Sequence, residues 1–105
     1  MTQHEDRQTL EGALAYLRKH GWVKRTALET GTGRVCAIGA VYCSLTPNGY
    51  VYPEHLPTID RVADQLRDKV AEITGTYISV ESYNDDPKTT YEDIETLFEK
   101  TIADL

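Results

Sequence analysis

Two cysteines and three histidines are the side chains of this 105-residue chain most suited to chemistry. Cys36 stands near the start of a predicted helix, where the helix dipole can lower the pKa of a thiol and make it a nucleophile. Such a nucleophile also needs a general base, but the spacing of His4, His20 and His55 matches no cysteine enzyme. A small Cys-dependent enzyme is therefore an alternative hypothesis only. We expect a buried structural Cys36 and no enzymatic activity.

The same side chains do not predict a metal site. Zinc ligands normally come in closely spaced pairs, and the cysteines and histidines form no pair at that spacing. The run Asn84-Asp85-Asp86 resembles the start of a calcium loop, but Lys88 and Thr89 stand where the loop needs an oxygen ligand and a glycine. These polar residues are expected to bind nearby backbone and lead into the last helix. We therefore expect neither a metal nor a cofactor.

Carboxylates form the most regular polar pattern in the chain. Four of them recur at every fourth position of the third predicted helix, on one face: Asp60, Asp64, Asp68 and Glu72. The last helix carries a second set, Glu92, Glu95 and Glu99. A solvated face is the simpler interpretation, whereas a docking surface for a basic partner would explain why repulsion between like charges is tolerated. If the two helices pack side by side, we expect both sets to merge into one negative surface.

Charge is unevenly distributed along the chain. The formal net charge is −6, with +2 on residues 1–52 and −8 on residues 53–105. Nucleic-acid binding needs clustered Lys and Arg, so most of this chain is unsuited to it. The exception is a basic cluster around Trp22, which could contact phosphate and stack on a base: Arg18, Lys19, Lys24 and Arg25. A nucleic-acid-directed accessory factor is thus an alternative, and a protein partner with a basic surface is the leading hypothesis.

Length and composition predict one small folded domain. The chain has room for one core, and 40% hydrophobic residues argue against a disordered tail. No apolar run approaches the roughly 20 residues that span a bilayer, and the first residues lack the pattern of a signal peptide. We therefore expect a cytoplasmic protein with reduced cysteines. Residues 1–6 are expected to form a flexible N-terminus and residues 7–105 a single globular domain.

Hydrophobic periodicity predicts a mainly α fold of about four helices. Gly21 is expected to end the first helix, and Thr89 or Thr90 to cap the last. The third helix has an apolar stripe that runs from Ile59 to Ile73. The predicted segments are about Arg7–Lys19, Val35–Ser44, Thr58–Thr74 and a helix beginning after Pro87.

The second predicted helix is the most informative segment. It places four small side chains on one face, where another backbone or a bulky ring can approach closely: Cys36, Gly39, Ala40 and Cys43. This pattern indicates a buried central helix, although its β-branched residues leave a buried strand as the alternative. A short two-stranded element is also allowed, between Thr76–Tyr83 and Tyr50–Tyr52.

Three segments together resemble a family of small uncharacterised proteins of actinobacteria and their phages. They are Leu14–Trp22, which ends in His-Gly-Trp; Gly33–Ala40, with the pattern Gly-Arg-x-Cys-x-x-Gly-Ala; and Tyr83-Asn84-Asp85 followed by Pro87 and Thr90. The chain departs from the family pattern at Tyr83, where Trp is expected, and at Lys88-Thr89, where Gly-Arg is commoner. The resemblance implies a phage-type or actinobacterial accessory protein and supplies no mechanism. Together with the charge pattern, it predicts a non-catalytic, phage-encoded interaction protein that binds a host or phage protein.

Overall fold

Five α-helices account for most of residues 2–105, the part of the chain that the computed structural model describes. A 3₁₀ turn, Pro53–His55, leads directly into the third helix. The mainly α fold is therefore confirmed, with one helix more than predicted. The helices are α1 (Thr2–His20), α2 (Ala37–Leu45), α3 (Leu56–Thr74), α4 (Val80–Asp85) and α5 (Tyr91–Ala103).

The core lies among the three long helices. α1, α3 and α5 all pack against one another, and α2 packs mainly on α1. The predicted stripe of α3 faces this core from Ile59 to Val70, but Ile73 at its end is exposed. Large apolar side chains from all three helices are fully buried there: Leu10, Leu17, Leu66, Leu97 and Phe98.

The small-residue segment is a helix, so the alternative of a buried strand is wrong. α2 begins at Ala37, and the Cys36 sulfur caps it by accepting a hydrogen bond from the backbone N–H of Gly39 (3.3 Å). The backbone at Ala27 crosses the small face so closely that a Cβ on Gly39 would lie 1.8 Å from the Ala27 carbonyl oxygen. The close approach predicted for this face is thus made by a loop backbone.

The start of the first helix differs from the prediction. α1 begins at Thr2, and residues 2–6, which were expected to form a flexible N-terminus, are helical. Asp6 is buried and accepts hydrogen bonds from Arg61 Nε (3.2 Å) and Gln65 Nε2 (3.0 Å), both on α3. This long-range contact holds the first turns of α1 against α3, which local sequence pattern does not reveal.

The expected two-stranded element does not form in the described residues. Their β pairing consists of two isolated bridges, from Val35 to Trp22 and to Leu28. Within the segment predicted to be extended, Ser79 instead caps the short helix α4 by accepting a hydrogen bond from the Ser82 N–H (3.0 Å). A serine cap can start a helix here even though the preceding residues favour extended backbone.

The predicted cap of the last helix is confirmed. Thr90 accepts a hydrogen bond from the Asp93 N–H (3.2 Å), and the Asp93 carboxylate accepts one from the Thr90 N–H (2.9 Å), which completes a capping box. Across residues 2–105, no helix is both long and apolar enough to cross a membrane.

Candidate functional site

The four carboxylates of α3 are all exposed, on the helix surface turned away from the core. Asp64 pairs with Arg67 (2.8 Å), Asp68 accepts a hydrogen bond from the Tyr77 hydroxyl (3.0 Å), and Glu72 pairs with Lys69 (3.1 Å). The Asp64–Arg67 pair and the Asp68–Tyr77 contact are exposed and contribute little to stability, so an incoming cation can exchange with them at small cost, whereas Lys69, the partner of Glu72, is buried. We call the four residues the α3 acidic face: Asp60, Asp64, Asp68 and Glu72.

Two of the three α5 carboxylates contact α1. Glu95 and Glu99 both bind Arg18, with distances of 2.9 and 3.1 Å between guanidinium nitrogen and carboxylate oxygen. Glu92 is exposed near the start of α5. The groove between α3 and α5 is lined by two basic and two acidic side chains, Lys69, Glu72, Lys100 and Asp104, among others. The merging of the two acidic sets into one surface stays a prediction.

Cys36 lines a small pocket of about 230 Å³, together with residues that include Tyr42, Glu81 and Asp85. Burial raises the pKa of the Cys36 thiol, the Asp85 and Glu81 carboxylates raise it further, and backbone N–H groups oppose the shift. A thiol with a raised pKa stays protonated near neutral pH, whereas a nucleophile needs the thiolate. No histidine lines the pocket in the described chain.

The three histidines lie outside the Cys36 pocket. His20 stacks on Tyr16 with ring centroids 4.1 Å apart, and His55 meets Tyr52 edge-on at 6.2 Å. His4 lies exposed on α1. Within residues 2–105, no three His, Cys, Asp or Glu side chains are grouped so that they could hold a metal ion.

Two members of the basic cluster around Trp22, Arg18 and Lys24, are bound within the chain. Trp22 is partly buried against the core, and the Lys24 ammonium lies 5.4 Å from the centroid of its ring. Lys24 also donates a hydrogen bond to the Asp86 carbonyl (2.7 Å), and Arg18 binds the carboxylates of α5. A base stacking on the indole would have to displace these contacts.

Asn84 has a structural role that its sequence context does not predict. Its Oδ1 accepts hydrogen bonds from Trp22 Nε1 (2.7 Å) and from the Ala37 N–H (3.0 Å), and its Nδ2 donates to the Val23 carbonyl (3.2 Å). The side chain is fully buried. Asn84 was expected to bind nearby backbone, but it joins the three segments that carry the family resemblance.

Comparison with known families agrees with the resemblance to an uncharacterised family. The model of a family of unknown function, DUF6197, matches residues 1–104. The chain belongs to this family. No curated protein and no solved structure gave a significant match. The Trp22–Asn84 contact and the close packing at Gly39 thus describe how a DUF6197 chain is built, and membership in DUF6197 assigns no activity.

An exposed aromatic surface in this DUF6197 chain was missed by the sequence patterns. Tyr50 and Tyr52 are 60% and 42% exposed, and Leu56 at the start of α3 is 45% exposed. The two tyrosine rings lie 4.7 Å apart. A signal was present, because Tyr50 and Tyr52 stand just before Pro53, and a proline is disfavoured in the interior of a helix. We call Tyr50, Tyr52 and Leu56 the aromatic ledge.

Proposed function

We propose that this protein is a non-catalytic interaction protein that binds a partner protein through a basic surface of that partner. The observation that carries the proposal is the α3 acidic face, a row of exposed carboxylates in the half of the chain with a net charge of −8. A surface of one sign steers an oppositely charged partner toward it and disfavours partners of the same sign.

The α5 carboxylates have a different part in this proposal. Glu95 and Glu99 share a single counter-charge, Arg18, so this group keeps a net negative charge that adds to the long-range field. Glu92 is exposed and can contact a partner that extends around the start of α5. Direct contacts are assigned first to the α3 acidic face.

Two observations favour binding over the alternatives. Burial raises the pKa of the Cys36 thiol, which favours the protonated form, and no histidine lines its pocket in the described part of the chain. Asn84 binds the Trp22 Nε1 and Lys24 lies over the ring, so a base stacking on that face would have to displace Lys24.

The cellular setting of the proposal rests on sequence resemblance and on the cysteines. The resemblance to proteins of actinobacteria and their phages favours a phage-encoded protein whose partner is a host or phage protein. Cys36 and Cys43 are both free and buried, as suits a reducing compartment such as the cytoplasm.

Capture of the partner from host lysate, followed by mass spectrometry, tests the proposal. The immobilised wild-type protein is compared with a double charge reversal on the α3 acidic face, Asp64→Lys with Asp68→Lys. A matched control reverses two exposed carboxylates elsewhere, Glu11→Lys with Glu81→Lys, and changes the net charge equally. We expect the wild type and the control to retain one basic protein and the α3 variant to lose it. Equal capture by all three proteins contradicts the proposal.

A further inference from the structure

We propose that the groove at the start of α3 is the anchor site for an arginine- or lysine-bearing segment of the partner protein. The groove has a volume of about 440 Å³ and lies where α1, the end of α2 and the 3₁₀ turn meet α3. This inference rests on the function proposed above, and it names a site that the α3 acidic face does not include. Its lining includes Glu5, Gln8, Ser44, Glu54, His55 and Thr58.

The charges around the groove favour a cation. Arg61 is the cation beside it, and its guanidinium is bound to the buried Asp6 (3.1 Å). Glu5 reaches Arg61 only at 3.5 Å, and Glu54 forms no ion pair with any residue of the described chain. The groove lining and the ion pair beside it together contain three carboxylates (Glu5, Glu54 and Asp6) and one guanidinium, an excess of negative charge that an incoming ammonium or guanidinium would neutralise.

The aromatic ledge adjoins this groove along the chain. Tyr52 touches the ring of His55, a groove residue, edge-on at 6.2 Å, and Leu56 follows His55 directly. Tyrosine is enriched at the centres of protein interfaces, and its ring face attracts Arg and Lys cations. Exposed tyrosines beside a groove that carries Glu5 and Glu54 thus match a cationic segment in two ways, by charge and by stacking.

The groove and the start of the α3 acidic face lie on opposite sides of α3. Thr58 lines the groove, and Asp60, two positions further on, is about 200° away around the helix axis. The anchor site is therefore separate from the α3 acidic face, and different variants test the two surfaces.

Two other occupants are less consistent with the surface. A second copy of this chain has a net charge of −6 and its acidic half would repel the groove, since like charges disfavour contact. An acidic or phosphorylated partner is disfavoured for the same reason. A purely apolar peptide would leave Glu5 and Glu54 without a counter-charge. The cationic segment is the occupant that satisfies both the carboxylates and the tyrosines.

NMR titration of the full ¹⁵N-labelled chain tests the anchor site with a defined probe, the peptide acetyl-Arg-Gly-Arg-amide. We expect amide shifts at groove and ledge positions, including Glu5, Ser44 and Glu54, and none with acetyl-Glu-Gly-Glu-amide. Glu54→Gln and Tyr52→Ser should each weaken binding about threefold to tenfold, as expected for loss of one charge or cation–π contact. The matched control Glu81→Gln changes an exposed carboxylate elsewhere and should bind as the wild type does.

The possible results separate this inference from the proposed function. Shifts confined to α3 residues from Asp64 to Glu72 would overturn the anchor site and leave the α3 acidic face as the binding surface. Absence of shifts, or self-association that Tyr52→Ser abolishes, would also overturn it. The proposed function fails independently if charge reversal of the α3 acidic face does not affect capture of the partner. Groove shifts that both variants weaken, with the control unchanged, support the anchor site.

Discussion

The indole nitrogen of Trp22 donates a 2.7 Å hydrogen bond to the side-chain oxygen of Asn84, 62 positions further along the chain. The same oxygen accepts a hydrogen bond from the backbone N–H of Ala37, the first residue of α2. One buried amide therefore fixes the loop after α1, the start of α2 and the short helix α4 relative to each other. Each of these groups would be left without a partner if the amide were removed.

Asn84→Ala is predicted to destabilise the fold strongly. The substitution leaves the Trp22 indole and the Ala37 N–H without their acceptor, and each buried unsatisfied group costs about 1–3 kcal/mol. We expect the free energy of unfolding to fall by about 3 kcal/mol. Urea unfolding followed by fluorescence measures it, because Trp22 is the single tryptophan. Glu81→Ala, at an exposed position of the same helix, should change stability by less than about 0.5 kcal/mol; an equal effect would contradict the role given to Asn84.

The two helical glycines Gly39 and Gly12 should respond differently to alanine. A Cβ on Gly39 meets the Ala27 carbonyl oxygen at 1.8 Å, whereas one on Gly12 meets the Ser44 hydroxyl oxygen at 2.5 Å. The Ala27 backbone cannot move aside, whereas the Ser44 hydroxyl can rotate away. Gly39→Ala should therefore lower the free energy of unfolding by about 3 kcal/mol. Gly12→Ala should change the free energy of unfolding by no more than about 1 kcal/mol, because the higher helix propensity of alanine offsets the displacement of the Ser44 hydroxyl. Thermal melts followed by circular dichroism compare the two variants. Equal melting temperatures would argue against the close contact of the Ala27 backbone with Gly39.

Leu66 tests the assigned core of α3. Its side chain is fully buried, so Leu66→Ala should lower the free energy of unfolding by about 2–5 kcal/mol. Asp64→Ala removes only an exposed pair with Arg67 and should change it by less than about 0.5 kcal/mol. Denaturant unfolding of the two variants measures both changes in the free energy of unfolding. If they unfold at the same midpoint, the apolar stripe is assigned to the wrong face.

The thiol of Cys36 should make the fold sensitive to alkaline pH. Burial raises the pKa of the Cys36 thiol in the folded state. At pH values above the thiol pKa of the unfolded chain, the folded chain therefore holds more protons than the unfolded chain. The free energy of unfolding then falls as pH rises. Cys36→Ser keeps a side-chain cap for α2 but removes the titration. Between about pH 8 and pH 10, the wild type should therefore lose more stability than Cys36→Ser.

Thiol labelling provides the control for this prediction. Cys36 and Cys43 are both buried, so both should react slowly in the native protein and fast in denaturant. Fast labelling of the native protein, or the same pH dependence in wild type and Cys36→Ser, would contradict the buried thiol.

Local sequence pattern was sufficient for the features that depend on neighbouring residues. The α3 stripe around Leu66, the Thr90–Asp93 capping box and the close approach at Gly39 follow from periodicity, capping preference and side-chain size. The start of α1 was misplaced because it depends on the contact of Asp6 with Arg61, 55 positions away.

The candidate site was less predictable for a related reason. Helical spacing identified the α3 acidic face, because residues four apart share a face wherever the helix lies. The position of Glu95 and Glu99 relative to this face depends on how α1, α3 and α5 pack, which spacing does not reveal. In the structure, Arg18 of α1 binds those two carboxylates. The groove between Glu5 and Glu54 joins residues far apart in sequence, so spacing alone does not reveal it.

The affinity of the purified partner, measured by isothermal titration calorimetry at low and moderate salt, tests the central claim most directly. Opposite charges attract less as salt is raised, so wild-type affinity should fall between about 50 and 200 mM salt. At low salt, Asp64→Lys with Asp68→Lys should bind about tenfold more weakly or worse, and the control with Glu11→Lys and Glu81→Lys should stay close to the wild type. An affinity that is independent of salt and unchanged by reversal of the α3 acidic face would contradict the claim.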